Sequence, residues 1–535
     1  SKMSVKQLEE LQLDNLVIRS LPLDSSKVPG SRQVRGACFS LSDPTPLDNP
    51  RLVAWSDSAL KLLDLQHDAG SSQKLADYFS GNKLLHGSVP ASHCYCGHQF
   101  GYFSGQLGDG AAVYLGEVVN NSGQRLELQL KGSGKTPYSR SADGRKVLRS
   151  TIREFLCSEA MFHLGIPTTR AGTVIVSDDQ VVRDIFYDGK AKMENCAVVL
   201  RIAPTFLRFG SFEIFKPGPS DRMHEILPQM LDYCLENLFP EIPTSIPKSQ
   251  QYLELYKEVC IKTAKLVAKW QCVGFCHGVL NTDNMSLLGL TIDYGPFGFM
   301  DYFDPNFQCN NSDNQGRYVY KAQPEICHWN LKKFAEAIKE SVDLEDSLKV
   351  LETFFPVYKK EHFMGMSKKL GFSVSFNDDE NLIESFLQTM QDTFSDFTNS
   401  FRNLNKLSWP GLENHAQTFD ATLESLLEVT NKEKWKSWLE KYVCRLKKES
   451  DNAENLLVLD TQRKYLMDGA NPKYILRNYI AQNAIELAEN GDFSEVRNVL
   501  HRLENPFEKE PITQECGSSN YNALPPISAL SLKVS

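Results

Sequence analysis

His277-Gly278-Val279-Leu280-Asn281-Thr282-Asp283-Asn284, with Asp293-Tyr294-Gly295 nine residues further on, decides the reading of this chain. In phosphoryl-transfer enzymes a His-Gly-Asp or His-Arg-Asp run carries the catalytic base. A following Asn and Asp hold Mg²⁺ against the phosphates. Counted from His277, the base position falls on Val279, which accepts no proton, and the metal-ligand positions fall on Asn284 and Asp293. Asp283 is the one carboxylate left in the loop for acid–base work. Residues 285–292 are mostly apolar around Gly289 and suit a short hairpin that brings Asn284 and Asp293 to one cation. Such a site is either inactive or handles ATP in another way.

Upstream, residues 111–116 and 126–131 read as strands, the second with clean alternation. Gly105-Gln106-Leu107-Gly108-Asp109-Gly110 precedes them, and closely spaced glycines admit backbone N–H groups to phosphate. A hairpin turn uses the same residues. Lys131 ends the second strand, where its ammonium can face a cleft. A helix is expected to open at Asp143-Gly144, with Leu148, Ile152, Phe155, Leu156 and Phe162 following a helical period, and to close at Gly165 and Pro167. It offers Glu154 and Glu159 as partners for Lys131, and periodicity does not choose between them. Residues 174–176, 181–186 and 196–202 supply further strands, giving the element order of a kinase small lobe.

Gly132-Ser133-Gly134-Lys135-Thr136 is not a P-loop, because Gln129 stands where the earlier glycine is required and Pro137 blocks a helix start. Arg145, Arg149 and Arg153 form an i, i+4 stripe, expected to be a solvated helix face. Arg201 follows the apolar run 197–200, which implies burial, and a buried guanidinium requires an anion. Phosphate is a natural one, and Arg208 lies close by in sequence.

Beyond residue 220 the pattern turns helical: 223–237, 250–273, 324–338, 345–371, 380–394, 434–447, 475–490 and 493–504. The fold class is therefore α+β, a bilobal protein-kinase-like fold with a β-rich small lobe, a helical large lobe and added C-terminal helices. The expected divisions are an N-terminal extension packing on the core (1–90), the small lobe (91–215), the large lobe with its C-terminal helices (216–505) and a flexible tail (506–535).

Hydrophobic residues make up 41% of the 535 and charged residues 23%, an ordinary soluble composition. A net charge of −9 argues against a general nucleic-acid or anionic-membrane binder. No run of eighteen apolar residues is present, so no membrane span is expected. The first thirty residues read as neither a secretory signal nor an Arg-rich transit peptide. Thirteen cysteines, an odd number in a large chain, read as free thiols of a reducing compartment. Cys94-Tyr95-Cys96 with His93 and His98 has zinc-ligand residue types but lacks a second ligand pair at a suitable spacing. Cys516 is the thiol expected to be exposed and redox-active.

At Gln106–Gly110, Leu128–Gly132, Asp143–Arg145, Ile152–Met161, Asn281–Asn284, Thr291–Gly298 and Asn471–Tyr474 the chain resembles the selenoprotein O family of protein adenylyltransferases. The likeness runs from about residue 35 to 505. It implies a kinase-like fold that binds ATP inverted and transfers AMP to Ser, Thr or Tyr hydroxyls of proteins, releasing pyrophosphate. By resemblance Asp283 is the catalytic carboxylate and Asn284 and Asp293 bind Mg²⁺. Lys131, Arg201 and Arg208 contact phosphate, Gly108, Gly110, Asp143, Gly144 and Asp293 lie at the nucleotide, and Glu154 partners Lys131. The implied partners are ATP and hydroxyl-bearing proteins, with neither nucleic acid nor membrane, and a monomer is expected. The implied compartment is mitochondrial, with the cytoplasm as the alternative. Two departures stand out. Many members carry Arg where this chain has Ala111, and Cys516-Gly517-Ser518-Ser519 is followed by sixteen further residues. A γ-phosphate-transferring kinase and an inactive nucleotide-binding scaffold are the rival readings.

Overall fold

The computed structural model describes residues 4–215, 223–407, 429–451, 455–508, 521–530, 532 and 534; Cys516 lies outside them. The small lobe is built on a nine-stranded sheet. Its spatial order is Leu23–Asp24, Phe39–Leu41, Ala91–His93, Ala112–Val119, Arg125–Lys131, Lys192–Ala203, Arg170–Arg183 and Arg51–Trp55, with Lys146–Val147 pairing beside Lys192–Ala203. The central strands are buried on both faces, and their alternation divides the residues between two cores. Val199 and Val174 face the helix Leu148–His163, against Ile152, Phe155 and Leu156. Val198, Leu200, Leu128 and Leu130 face Leu60, Leu63, Leu75 and Phe79 on the opposite side. Residues before 91 thus supply three strands, placed at both edges of the sheet, and cover one of its faces.

Several elements depart from the sequence expectation. The two strands expected at 174–176 and 181–186 are one, Arg170–Arg183, irregular in register between Val176 and Gln180 and ending before Phe186. The helix after Asp143-Gly144 begins only at Leu148, because Lys146 and Val147 first pair with Ala197 and Cys196. The helix expected over 345–371 is two, Leu344–Leu351 and Phe354–Lys369. Pro356 sits in the first turn of the second, where its missing N–H costs nothing but its ring forbids a helical carbonyl at Glu352. The helix expected from 475 starts at Asn478. The helices Phe397–Leu404 and Leu456–Ala470 had no counterpart in the sequence reading.

The large lobe is organised by the 26-residue helix Lys248–Val273, which buries Tyr256, Val259 and Trp270 against Phe334 and the rest of one large core. It ends at Gly274, whose φ of +72° supplies the left-handed turn a C-terminal cap requires. The next two residues, Phe275-Cys276, pair antiparallel with Gly298-Phe299. This short ladder holds the 277–284 loop and the 293–297 segment side by side. The α+β, bilobal, kinase-like architecture places both at the foot of the small-lobe sheet.

Candidate active site

The 277–295 segment is fixed by polar contacts reaching far along the chain. His277 donates from Nε2 to Ile292 O at 2.8 Å and accepts the Val279 N–H at Nδ1, and burial favours the neutral ring against the pull of the Ile292 carbonyl and Asp293. Thr282 accepts the His98 backbone N–H at 2.7 Å and donates to Glu213 Oε2 at 2.9 Å. Glu213 also lies 3.0 Å from His98 Nδ1, so one buried carboxylate ties the loop to the Cys96–Gln99 strand. Residues 285–292 do not form the expected hairpin. Ser286 bridges to Arg208 and Thr291 to Thr168, so each end pairs with a different segment.

Asp283 follows Thr282 in a 3₁₀ turn and is buried. Its Oδ1 has no hydrogen-bond partner among the described residues, while Gln99 reaches Oδ2 at 3.5 Å. Burial raises its pKa to about 7 against the pull of Arg208. Asn284 donates from Nδ2 to Val279 O at 2.8 Å. That bond commits the amide nitrogen and leaves the carbonyl oxygen as the free end. Val279 therefore contributes its backbone carbonyl, and its side chain lines a cavity.

Asp293 has a φ of +58°, uncommon for a non-glycine residue. Both of its oxygens are taken: Arg201 binds Oδ1, and Arg208 binds Oδ2 at 2.5 Å. Burial works against ionisation, but Arg208, Arg201 and Lys131 together hold the Asp293 carboxyl well below the usual carboxylate range. Arg201 reaches Glu154 at 3.2 Å, and Lys131 Nζ lies 2.9 Å from the same carboxylate. Glu154 is thus the partner of Lys131. Glu159 instead pairs with Arg170 at 2.8 Å and accepts from Ser56. The anions expected of the buried arginines are, in the protein itself, carboxylates of the site.

Two cavities meet at Lys131 and Lys146. One, of about 610 Å³, lies under the glycine-containing loop and is lined by Gly108, Gly110, Ala111, Asp143, Gly144, Arg201 and Asp293 among others. The other, of about 490 Å³, is bounded by Glu154, Val279, Asn281, Gly295, Phe186 and Tyr187. Glycine is required at two points of the first. A Cβ on Gly108 would stand 2.4 Å from the Tyr138 ring, and one on Gly144, at φ +72°, 2.3 Å from the Gly134 backbone. Asp143 does not cap the helix. It accepts the Arg145 N–H and a two-nitrogen grip from Arg183.

The arginine stripe is not a solvated face. Arg153 is buried, donating to Phe297 O at 2.6 Å with its guanidinium over the Phe297 ring. Arg149 holds Glu194, and Arg145 donates to the carbonyls of Thr45 and Pro46. Gln129, dismissed above only as a missing P-loop glycine, accepts from Arg201 Nε at 2.8 Å and donates to Asp109 at 3.1 Å. Its place on an alternating strand two residues before Lys131 was the available signal. His93 and His98 have separate partners, Ser211 and Glu213, and no group of three metal-binding side chains occurs among the described residues. Of the twelve described cysteines, all free, only Cys272 and Cys444 are not buried.

A family model described as protein adenylyltransferase SelO matches residues 33–504. The chain is 48% identical to the mitochondrial protein adenylyltransferase SelO-1 of Danio rerio, over 94% of this chain and 86% of that protein. It is 47% identical to the mitochondrial protein adenylyltransferase SelO of Homo sapiens, over 94% and 88%. To the protein nucleotidyltransferase YdiU of Methylobacillus flagellatus it is 42% identical, over 96% and 97%. With the matched span containing the whole carboxylate–guanidinium cluster from Lys131 to Asp293, the chain belongs to the protein adenylyltransferase SelO family.

Proposed function

We propose that this protein is an adenylyltransferase that moves AMP from ATP to Ser, Thr or Tyr hydroxyls of other proteins, in mitochondria as the names of its animal relatives have it. The observation that carries the reading is the pair Val279 and Asp283. The usual base position of a γ-phosphate kinase is apolar, and a buried carboxylate with an unpartnered oxygen stands four residues on. Arg201 and Arg208, both buried beside Asp293, suit the terminal phosphates of an ATP that enters inverted. Lys131, with Glu154, and the backbone of Gly108, Gly110, Asp143 and Gly144 then line the rest of the nucleotide's path.

In the reaction, the acceptor hydroxyl oxygen bonds to the α-phosphorus. The bond from that phosphorus to the oxygen bridging toward the β-phosphate breaks, and pyrophosphate leaves. Asp283 takes the hydroxyl proton; its raised pKa makes it a stronger base than an exposed carboxylate. The carbonyl oxygen of Asn284 and the carboxylate of Asp293 are a donor set that fits Mg²⁺, which commonly takes one or two protein oxygens and completes its shell with phosphate and water. When bound there, Mg²⁺ would offset the negative charge of the phosphates. The remaining work, positioning and charge neutralisation, falls to Lys131, Arg201 and Arg208.

The test supplies ATP labelled at either the α- or the γ-phosphate together with a mixture of proteins. Label incorporated from the α position alone, and lost in Asp293→Ala, is the expected result. Incorporation from the γ position alone would make the protein a kinase, and none from either would leave a nucleotide-binding scaffold.

A further inference from the structure

Lys146 has no part in the machinery described so far, yet it lines both cavities. Its two-residue strand pairs Lys146 with Ala197 and runs directly into the helix that carries Glu154. The backbone at this point is therefore fixed by the sheet, and close contact with Gly132 leaves no slack, since a Cβ on Gly132 would sit 3.1 Å from Lys146 Cβ. The neighbouring cations are committed. Lys131 holds Glu154, Arg201 holds Glu154 and Asp293, and Arg183 holds Asp143. Lys146 has no carboxylate or hydrogen-bond partner among the described residues. Lys146 is half-buried where the two cavities join, and an ammonium there without a partner is placed to meet an incoming anion.

We infer that Lys146 binds the α-phosphate of the nucleotide, at the point where the nucleotide cavity opens into the cavity that admits the acceptor. The inference rests on the AMP-transfer reading for the identity of the reacting phosphate, and on the structure alone for the cation and its place. In that role Lys146 is a catalytic residue: it touches the group being transferred and stabilises charge on its oxygens as pyrophosphate departs. It forms no covalent bond. The groups facing it are Lys131 and Arg183, which disfavour its charge, and Glu154 and Asp293, which favour it. Burial outweighs the last two and lowers its pKa to about 8.

The experiment measures affinities of the full chain for ATP, AMP and adenosine by calorimetry, for wild type, Lys146→Ala and Lys146→Arg, with melting temperatures as a check on folding. Lys146→Ala is expected to weaken ATP and AMP alike, by about tenfold, the size of one charge-assisted contact, and to leave adenosine unchanged. Lys146→Arg should restore most of the loss. In wild type, AMP affinity should fall as pH rises through 8, and in Lys146→Arg this dependence should vanish. AMP affinity unchanged by Lys146→Ala, or adenosine weakened as much as AMP, would overturn the inference. The α-label assay on wild type runs alongside. Its failure would count against AMP transfer while the AMP-to-adenosine ratio still decides whether Lys146 grips the phosphate.

Discussion

Gly97 lies so close to Asp283 that a Cβ built on it would stand 2.4 Å from Asp283 Oδ1 and 3.0 Å from Asp283 Cβ. The absent side chain is what makes room for the carboxylate. Gly97→Ala is therefore expected to push Asp283 off its position and reduce AMP transfer by at least tenfold. The overpacking should destabilise the fold by about 1–3 kcal/mol. Transfer from α-labelled ATP and a denaturant titration would measure the two effects separately. Wild-type activity in this variant would show that the carboxylate position is not critical.

The raised pKa of Asp283 gives a pH dependence with a defined sign. A base must be deprotonated to act, so kcat/KM for transfer should climb about tenfold per pH unit below pH 7 and level off above it. Stability should move the other way. The folded pKa lies above the ordinary 3.8, so the native state binds more protons between those values and is progressively destabilised as pH rises from 4 to 7. Asp283→Asn should then lose transfer yet melt higher than wild type at pH 8. A melting temperature that is lower in the variant would contradict a carboxylate held by burial above its ordinary pKa.

Glu154 and Glu159 lie five positions apart on one helix and should behave differently. Glu154→Gln removes the shared counter-charge of Lys131 and Arg201, and should cut transfer severely while weakening the fold. Glu159→Gln strands Arg170 away from the cleft, costing about 3–5 kcal/mol of stability with the kinetic constants of the surviving folded protein little altered. Parallel melting curves and transfer kinetics would separate them. Equal kinetic losses in both would merge roles that the geometry keeps apart.

Both oxygens of Asp293 are held by guanidinium groups, so a divalent cation arriving alone meets a neutralised ligand. Magnesium without nucleotide is expected to bind weakly, and removal of metal by a chelator should abolish transfer without lowering the melting temperature. Calorimetric titration of Mg²⁺ into the nucleotide-free and nucleotide-loaded protein would test this. Tight binding in the first case would count against it.

The loop proposed to be catalytic could be singled out because its residues are local: His277, Asp283, Asn284 and Asp293 fall within seventeen residues and carry their spacing with them. Contacts distant in sequence were not. Arg153 looked solvated because its partners, Phe297 and Asn478, lie 144 and 325 residues away. The 285–292 hairpin failed for a similar reason, since Ser286 and Thr291 find their partners at Arg208 and Thr168. Periodicity left Glu154 and Glu159 tied, because both are buried on the same helix. Which one meets Lys131 depends on the packing of that helix against the sheet.

Arg201 belongs to a strand of the small-lobe sheet, Arg208 to the segment just after that strand, and Asp293 to the segment beyond the helix Lys248–Val273. Their three-way contact is therefore also a mechanical one, a joint between the two halves of the molecule in which two guanidinium groups share one carboxylate. If phosphates draw the two arginines toward themselves, the same event loosens the joint, so nucleotide entry would change how freely the lobes move as well as what fills the cleft between them.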